Sequence, residues 1–421
     1  MAGTSAGNTQ TSIDALLKEY YDDGALVNET FKKNPLWGLI TKSQAVANVT
    51  GRRFIHPVVY GGSQGRSRSF SRAQARGEAT GELSVDFVVP RVFNHQVCTV
   101  DNETILSTKD DRGAFTKAVT LITDNAVRNL GLVQAQSMYS NQSESRGVIA
   151  ASGISGKVIT LATADDALKF EIGMELDLAA AESTGAVEAY GSAGHGLYVA
   201  KVDYNAGTIT MVSNVTDATD GIPTAADGMY IFVRGDRNSG LAGLQAWLPY
   251  GGPQSGDSFL GVDRTVQPVR LAGNWMDGTQ MSVEEALITA ATQVEKVSNG
   301  SLTHFFIPYN KYKQLLLSKE AKRVVQEEVN PQVSFEGLEV LTTAGTIMVH
   351  PDRNCPANRM FGLNIDTWEF IHLGDTVQID NLDGNTWLRQ TGNNGQEIRF
   401  FSLGNVVCRA PAENIVISCQ A

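Results

Sequence analysis

Hydrophobic and polar positions along the chain change period several times, and each change predicts an element. Near the start, Ile13, Leu16, Leu17 and Tyr20 follow Thr11-Ser12 at a spacing that places them on one helical stripe behind a cap. Gly24 and Asn34-Pro35 interrupt the stripe, and the chain to about residue 48 reads as a loosely structured arm, too polar for a core of its own. From 52 to 91 the period shortens. Phe54, Ile55, Val58 and Val59 predict one strand, and Leu83, Val85, Phe87 and Val89, alternating with Ser84 and Asp86, a half-buried second one. Between them runs GGSQGRSRSFSRAQARGEATGE, a stretch without core positions, which predicts a long two-stranded arm with a mobile tip that needs a neighbour to lie on.

At Asp110 the period becomes that of a helix. Phe115, Val119, Ile122, Ala126, Leu130 and Val133 recur at gaps of 4, 3, 4, 4 and 3, with Asp110 and Asp111 at the positive end. A helix from there to Tyr139 would be about 43 Å long, which suits a structural spine. Residues 148–236 then form a β-rich block in which KVITLA, LYVAKVDY, GTITMV and MYIFV read as short strands and Tyr204-Asn205-Ala206-Gly207 as a tight hairpin turn. Farther on, Ser282 and Glu285 form a capping box ahead of Val283, Leu287, Ala290, Val294 and Val297, predicting a second amphipathic helix to about Ser298. HFFIP reads as a strand, Asn310 to about Glu327 as a helix, and the chain from Leu338 onward as short strands. No internal repeat of fixed period interrupts this order.

Composition narrows the class. The 421 residues are 42% hydrophobic and 19% charged, which excludes a disordered, collagenous or coiled-coil chain. The net charge of -11 argues against a protein that coats nucleic acid with its whole surface. That charge is unevenly placed: residues 148–236 hold 12 acidic and 4 basic side chains, so -8 belongs to the β-rich block and -3 to everything else. Cys98, Cys355, Cys408 and Cys419 form no CxxC pair and no disulfide framework, so a reducing compartment is the simpler expectation. The polar start lacks the pattern of a secretory signal, and no stretch approaches the roughly 20 apolar residues that span a bilayer.

Catalytic templates fail. The six histidines are scattered, with no HExxH, no zinc-finger spacing, no GxxxxGK[ST] loop and no GxGxxG. Gly3-Thr4-Ser5-Ala6-Gly7 matches GxSxG, yet no strand can precede residue 3 to build a nucleophile elbow. Asp380-Asn381-Leu382-Asp383-Gly384 lacks the alternating ligands of a calcium loop and reads as a turn. His350, Asp352 and Cys355 could be imagined as a metal cluster, but Pro351 and Pro356 mark that stretch as a surface loop. The expectation is no enzyme, no cofactor and no metal. The sharpest charged feature is Arg66, Arg68, Arg72 and Arg76, with no acid among them before Glu78. These arginines could grip the surface of a neighbouring subunit, stay solvated, or meet nucleic acid, the last disfavoured by a lack of interleaved aromatics beyond Phe70.

Three runs, GLAGLQAWLP (240–249), HFFIPYNKYKQLLL (304–317) and GTIMVHPDRNCPANRMFGLN (345–364), together with the order of elements, resemble the major capsid proteins of tailed bacteriophages. That family has the Hong Kong 97 capsid fold, an α+β fold with an N-arm, an extended β-hairpin loop, a long spine helix, an axial domain and, in some members, an inserted small β domain. The resemblance implies an N-terminal arm over 1–48, the extended loop with its flanking strands over 49–100, and a peripheral domain with the spine helix over 101–147. It further implies an inserted acidic β domain over 148–236, the peripheral domain continued over 237–300, a mostly axial domain over 301–400 and a C-terminal strand region over 401–421. The implied function is structural: self-assembly through pentamers and hexamers into an icosahedral head shell around double-stranded DNA, without sequence-specific contact, in a virion assembled in the host cytoplasm. An encapsulin-like nanocompartment shell and a non-shell, β-rich tail or adhesion protein are the competing readings. Expected partners are other copies, a portal, a separate scaffolding protein and a decoration or cement protein, with no membrane. Some family members join a lysine of the extended loop to a neighbour's asparagine. Residues 43–108 contain no lysine, so cohesion here is expected to be non-covalent. A start at Met1 without a long charged helical segment favours the separate scaffolding protein.

Overall fold

In a computed structural model of the chain, residues 34–44, 49–50, 53–101, 112–318, 323–330, 333–343, 345–374, 376–380, 385, 388–390 and 394–420 are described. The helix expected over 11–20, the Gly3–Gly7 match, Asp110-Asp111 and most of Asp380–Gly384 lie outside them. The first described segment is a single helical turn, Pro35–Leu39 (α1), which a proline opens as that residue's fixed φ favours. It leads into Thr41–Gln44 (β1), paired in parallel with Trp368–His372 far along the chain.

Arg53–Gly61 (β2) and Leu83–Pro90 (β3) form an antiparallel hairpin with Phe54 opposite Val89, His56 opposite Phe87 and Val58 opposite Val85. One face of its base is buried: Phe54, Phe87 and Val89 join a core with Trp247, Phe259 and Trp368. Phe87 lies 5.0 Å from the Trp247 ring, and the Val88 N–H donates to the Leu260 carbonyl at 3.0 Å. The hairpin base therefore packs on its own chain. Its far end differs from the expected mobile loop, because Phe70–Ala79 (α2) is a helix. Ala, Gln, Arg and Glu supply the helix propensity that an apolar stripe does not.

Val92–Asp101 (β4) pairs over its whole length with Gly395–Cys408, and Arg112–Ser137 (α3) lies across them. Ala126 and Leu130 of the helix meet Cys98, Val100, Ile398 and Phe400 of the sheet. The 26-residue helix is about 39 Å long, in line with the spine read from the periodicity.

Six strands then close into a barrel: Gly147–Ser155 (β5), Val158–Leu161 (β6), Glu175–Ala179 (β7), Leu197–Asp203 (β8), Thr208–Met211 (β9) and Tyr230–Val233 (β10), in the order β9-β6-β5-β10-β7-β8. Closure removes free sheet edges. The interior is separate from the other cores and filled by Ile149, Ile159, Phe170, Leu178, Val199, Ile209 and Ile231. The turn at Tyr204–Gly207 joins β8 to β9, with Gly207 at φ +64. Two adjacent crossings connect barrel and body, where the N–H groups of Asn238 and Gly240 donate to the carbonyls of Ser143 and Gln142 at 3.1 and 3.2 Å.

The last unit is a seven-stranded sheet. Its members are Asn274–Asp277 (β11), His304–Ile307 (β12), Arg323–Asn330 (β13), Val333–Thr342 (β14), Gly345–Pro351 (β15), Arg359–Leu363 (β16) and Ile415–Ser418 (β19), in the order β11-β19-β16-β12-β15-β14-β13. Trp368–His372 (β17) and Gly395–Cys408 (β18) belong instead to the sheet of β1 and β4. Val283–Ser298 (α4) packs Ala286, Leu287, Ala290 and Val294 against Phe305, Ile307, Val349 and Ile417. The Ser282 hydroxyl accepts from the Glu285 N–H at 3.2 Å, which is half of the expected capping box. Tyr309–Leu317 (α5) is shorter than the helix expected to reach Glu327: it ends at Leu317, and Arg323–Asn330 is strand. RVVQEEVN carries β-branched residues and pairs with β14, so sheet formation overrides helical periodicity there.

Candidate assembly surfaces

The arm carries the four arginines singled out from the sequence. Arg66 and Arg68 lie in the extended stretch before α2; Arg72 and Arg76 lie on the helix four residues apart, where i and i+4 side chains share a face. All four are exposed, and none forms an ion pair with a described residue. Two of them meet: the Arg76 guanidinium donates to the Arg66 carbonyl at 3.3 Å. The Gln64 N–H donates to the Thr80 hydroxyl at 3.0 Å, which itself donates to the Arg76 carbonyl at 2.7 Å. These bonds close the tip into a defined shape. Yet α2 buries no side chain, and Phe70 at its start is 84% exposed.

A second open surface was not marked by sequence reasoning. Along β4 one face is the core and the other carries Phe93, His95 and Val97, with the Phe93 and His95 rings stacked 5.7 Å apart and Phe401 of β18 at 6.3 Å from His95. Phe93 is 57% exposed. The alternation Phe-x-His-x-Val was the available signal, and only its pairing partner, about 300 residues away, reveals which face is open.

The barrel presents the acidic surface. Glu175 holds Arg234 in an ion pair, and the Arg234 guanidinium covers the Tyr190 ring at 4.6 Å. Burial alone would raise the Glu175 carboxyl, but the Gly196 N–H at 2.8 Å and Arg234 outweigh it and hold the group below its ordinary range. Asp203 and Asp217 are lowered by backbone N–H groups of the turns they cap. These carboxylates close loops, as does Asp227, which accepts from the N–H groups of Ser152 at 2.7 Å and Gly153 at 3.2 Å, while Asp220 lies 3.7 Å from the His195 ring.

His350, Asp352 and Cys355 do not form the surface loop read from the flanking prolines, since all three are buried. Asp352 accepts from the Tyr139 hydroxyl at 2.9 Å and from the N–H groups of Asn354 at 2.8 Å and Leu36 at 3.5 Å. Burial pushes the Asp352 carboxyl up, with those donors opposing, and pushes the Cys355 thiol well above its usual range. Among the described residues no group of His, Cys, Asp and Glu is arranged to hold a metal ion. No described helix is long and apolar enough to cross a membrane, and all four cysteines are buried, none of them in a disulfide.

No protein-family model matches the chain, and no curated protein does. Solved structures do. The capsid asymmetric unit of cyanophage A-1(L) is similar over 98% of this chain and 99% of its own, at 14% identity and a TM-score of 0.50. A structure from Gordonia phage Cozz is similar over 100% and 97%, at 12% identity and 0.43. The SrpI encapsulin complex of Synechococcus elongatus is similar over 97% and 95%, at 6% identity and 0.45. The last two scores are too low to add weight. The first covers both chains almost end to end, and at 14% identity it speaks to architecture. This chain has the mixed α+β fold of a phage capsid protein.

Proposed function

We propose that the chain is the major capsid protein of a tailed bacteriophage, a structural protein without catalytic activity that assembles into an icosahedral shell around double-stranded DNA. The observation that carries this reading is the end-to-end likeness to a cyanophage capsid protein. It is supported by an arm whose base is packed on its own chain and whose tip is not. A ten-residue helix that buries nothing is too short to be stable alone, so α2 gains its order from a neighbouring copy. The open face of β4, with Phe93 and Val97, offers neighbours apolar surface.

On this reading the chain divides as in the Hong Kong 97 type: N-arm 1–48, extended loop 49–100, peripheral domain 101–147 and 237–300, inserted domain 148–236, mostly axial domain 301–400 and C-terminal strands 401–421. Arg66, Arg68, Arg72 and Arg76 make intersubunit contacts. Without a lysine between 43 and 108 the shell coheres non-covalently, helped by a decoration protein, and a separate scaffolding protein and a portal guide its assembly. The barrel either receives the decoration protein or stabilises the subunit. Electron microscopy of the purified chain tests the reading, and nucleic acid inside particles from infected cells separates a virion from a cargo-enclosing nanocompartment.

A further inference from the structure

The most exposed large apolar side chain among the described residues is at the arm tip, and an open cavity beside the root of the arm matches it in size and charge. Phe70, at the start of α2, is 84% exposed and belongs to none of the cores, with Arg68 two residues before it and Arg72 two after. The cavity, about 270 Å³, lies between the root of the arm and residues 261–271. Tyr60, Val85, Val266 and Leu271 give it an apolar lining, Asp86 and Asp263 supply its charge, and no lysine or arginine lines it. Val266 is 60% exposed, so its own chain leaves this surface open. Asp86 bonds to no described residue. One carboxylate oxygen of Asp263 accepts from the N–H and hydroxyl of Thr265, at 2.9 and 2.6 Å, and the other stays available. Arg270 donates to the Tyr60 carbonyl at 2.7 Å and forms an ion pair with neither acid. A cavity of about 150 Å³ admits a benzene-sized ring, so this one has room for a phenyl group with guanidinium groups at its rim.

We propose that this cavity receives Phe70 of a neighbouring copy, with that copy's Arg68 and Arg72 facing Asp86 and Asp263. The phenyl ring leaves water while the charges set its orientation. This rests on the assembly reading and names the surface that the arm tip meets. Donor and receptor are different patches of one chain, so the contact runs head to tail, the kind that closes into rings when the rotation between copies allows.

The test joins tip to cavity in assembled shells. Ser69→Cys with Val266→Cys keeps Phe70 in place, and a short bis-maleimide is expected to give a ladder of covalent multimers, against the background of four buried native cysteines. A ladder from Ser69→Cys with Val212→Cys on the barrel instead, or from neither pair, overturns the proposal while assembly stands. A wild-type chain that forms no shell at any concentration overturns both. Phe70→Ala, which removes an exposed ring, is expected to leave urea unfolding of the unassembled chain unchanged and to raise the free chain in equilibrium with shells about tenfold; Phe70→Leu retains most of the wild-type behaviour. Val266→Lys is expected to cause a similar rise, and the two changes combined little more than either alone, because they remove the same contact. No rise for Phe70→Ala, or effects of the two that simply multiply, would overturn the proposal.

Discussion

The phenol of Tyr139, in the turn that closes the spine helix, donates a hydrogen bond to the buried carboxylate of Asp352 at 2.9 Å, across 213 positions of sequence. The same carboxylate accepts from Asn354 and from Leu36 at the root of the N-terminal segment, and the Asn354 amide reaches Asn34 at 2.9 Å. One acid thus joins the spine helix, the loop after β15 and the start of α1. Tyr139→Phe leaves that carboxylate short of a donor and is expected to cost about 1–3 kcal/mol, measured by urea unfolding of the unassembled chain.

The pH dependence at this site has a definite sign. Burial raises the folded-state pKa of Asp352 above 3.8, so the folded chain holds this proton more tightly than the unfolded chain. The carboxyl's contribution is therefore most favourable in acid and declines as the pH rises from about 3.8 through the folded value. Asp352→Asn lacks this dependence. Its deficit against the wild type is expected to be largest at low pH and to shrink as pH rises; a deficit that grows instead would show that the carboxylate is held mainly by its donors.

Glu175 has the opposite sign. Its folded pKa is depressed below 4.5, so its stabilisation is present above that value and lost as the pH falls through the folded one. Because the barrel has its own closed sheet and core, residues 146–237 produced alone are expected to unfold cooperatively. Arg234→Ala in that fragment is expected to weaken the acid-induced loss of stability, read by circular dichroism against pH. A fragment without a cooperative transition would show that the barrel depends on the body.

The base of the arm gives a packing prediction. Phe87 is fully buried between the Trp247 and Phe259 rings, at 5.0 and 6.2 Å. Phe87→Ala should destabilise the unassembled chain by about 3–5 kcal/mol. At the other end of the arm, replacing Arg66, Arg68, Arg72 and Arg76 together with Ala should leave subunit unfolding unchanged and lower the melting temperature of shells. Unaltered shells would mean the tip is merely solvated.

Local features of the fold were legible in the sequence where one face of one element decides the structure. The α3 helix, with Ala126 and Leu130 on its sheet-facing side, and the Ser282 cap of α4 are such cases, and so are the barrel strands, whose alternation meets a core of their own. Features set by distant partners were not. α2 has a single aromatic, Phe70, and no apolar stripe, so no periodicity in the sequence marks it, and the closure of the tip through Thr80 shows only in the structure. Two prolines made the stretch from His350 to Cys355 look like surface, whereas Tyr139 and Leu36, more than 200 positions away, cover it. The arginines stand out in the sequence by charge alone, while the β4 face needed β18 to show which side stays open.

Assembly is the central claim, and electron microscopy of the purified chain across a concentration series tests it most directly. The account predicts closed particles of uniform diameter above a threshold concentration. A chain that stays monomeric, or forms open fibres, at every concentration would contradict it.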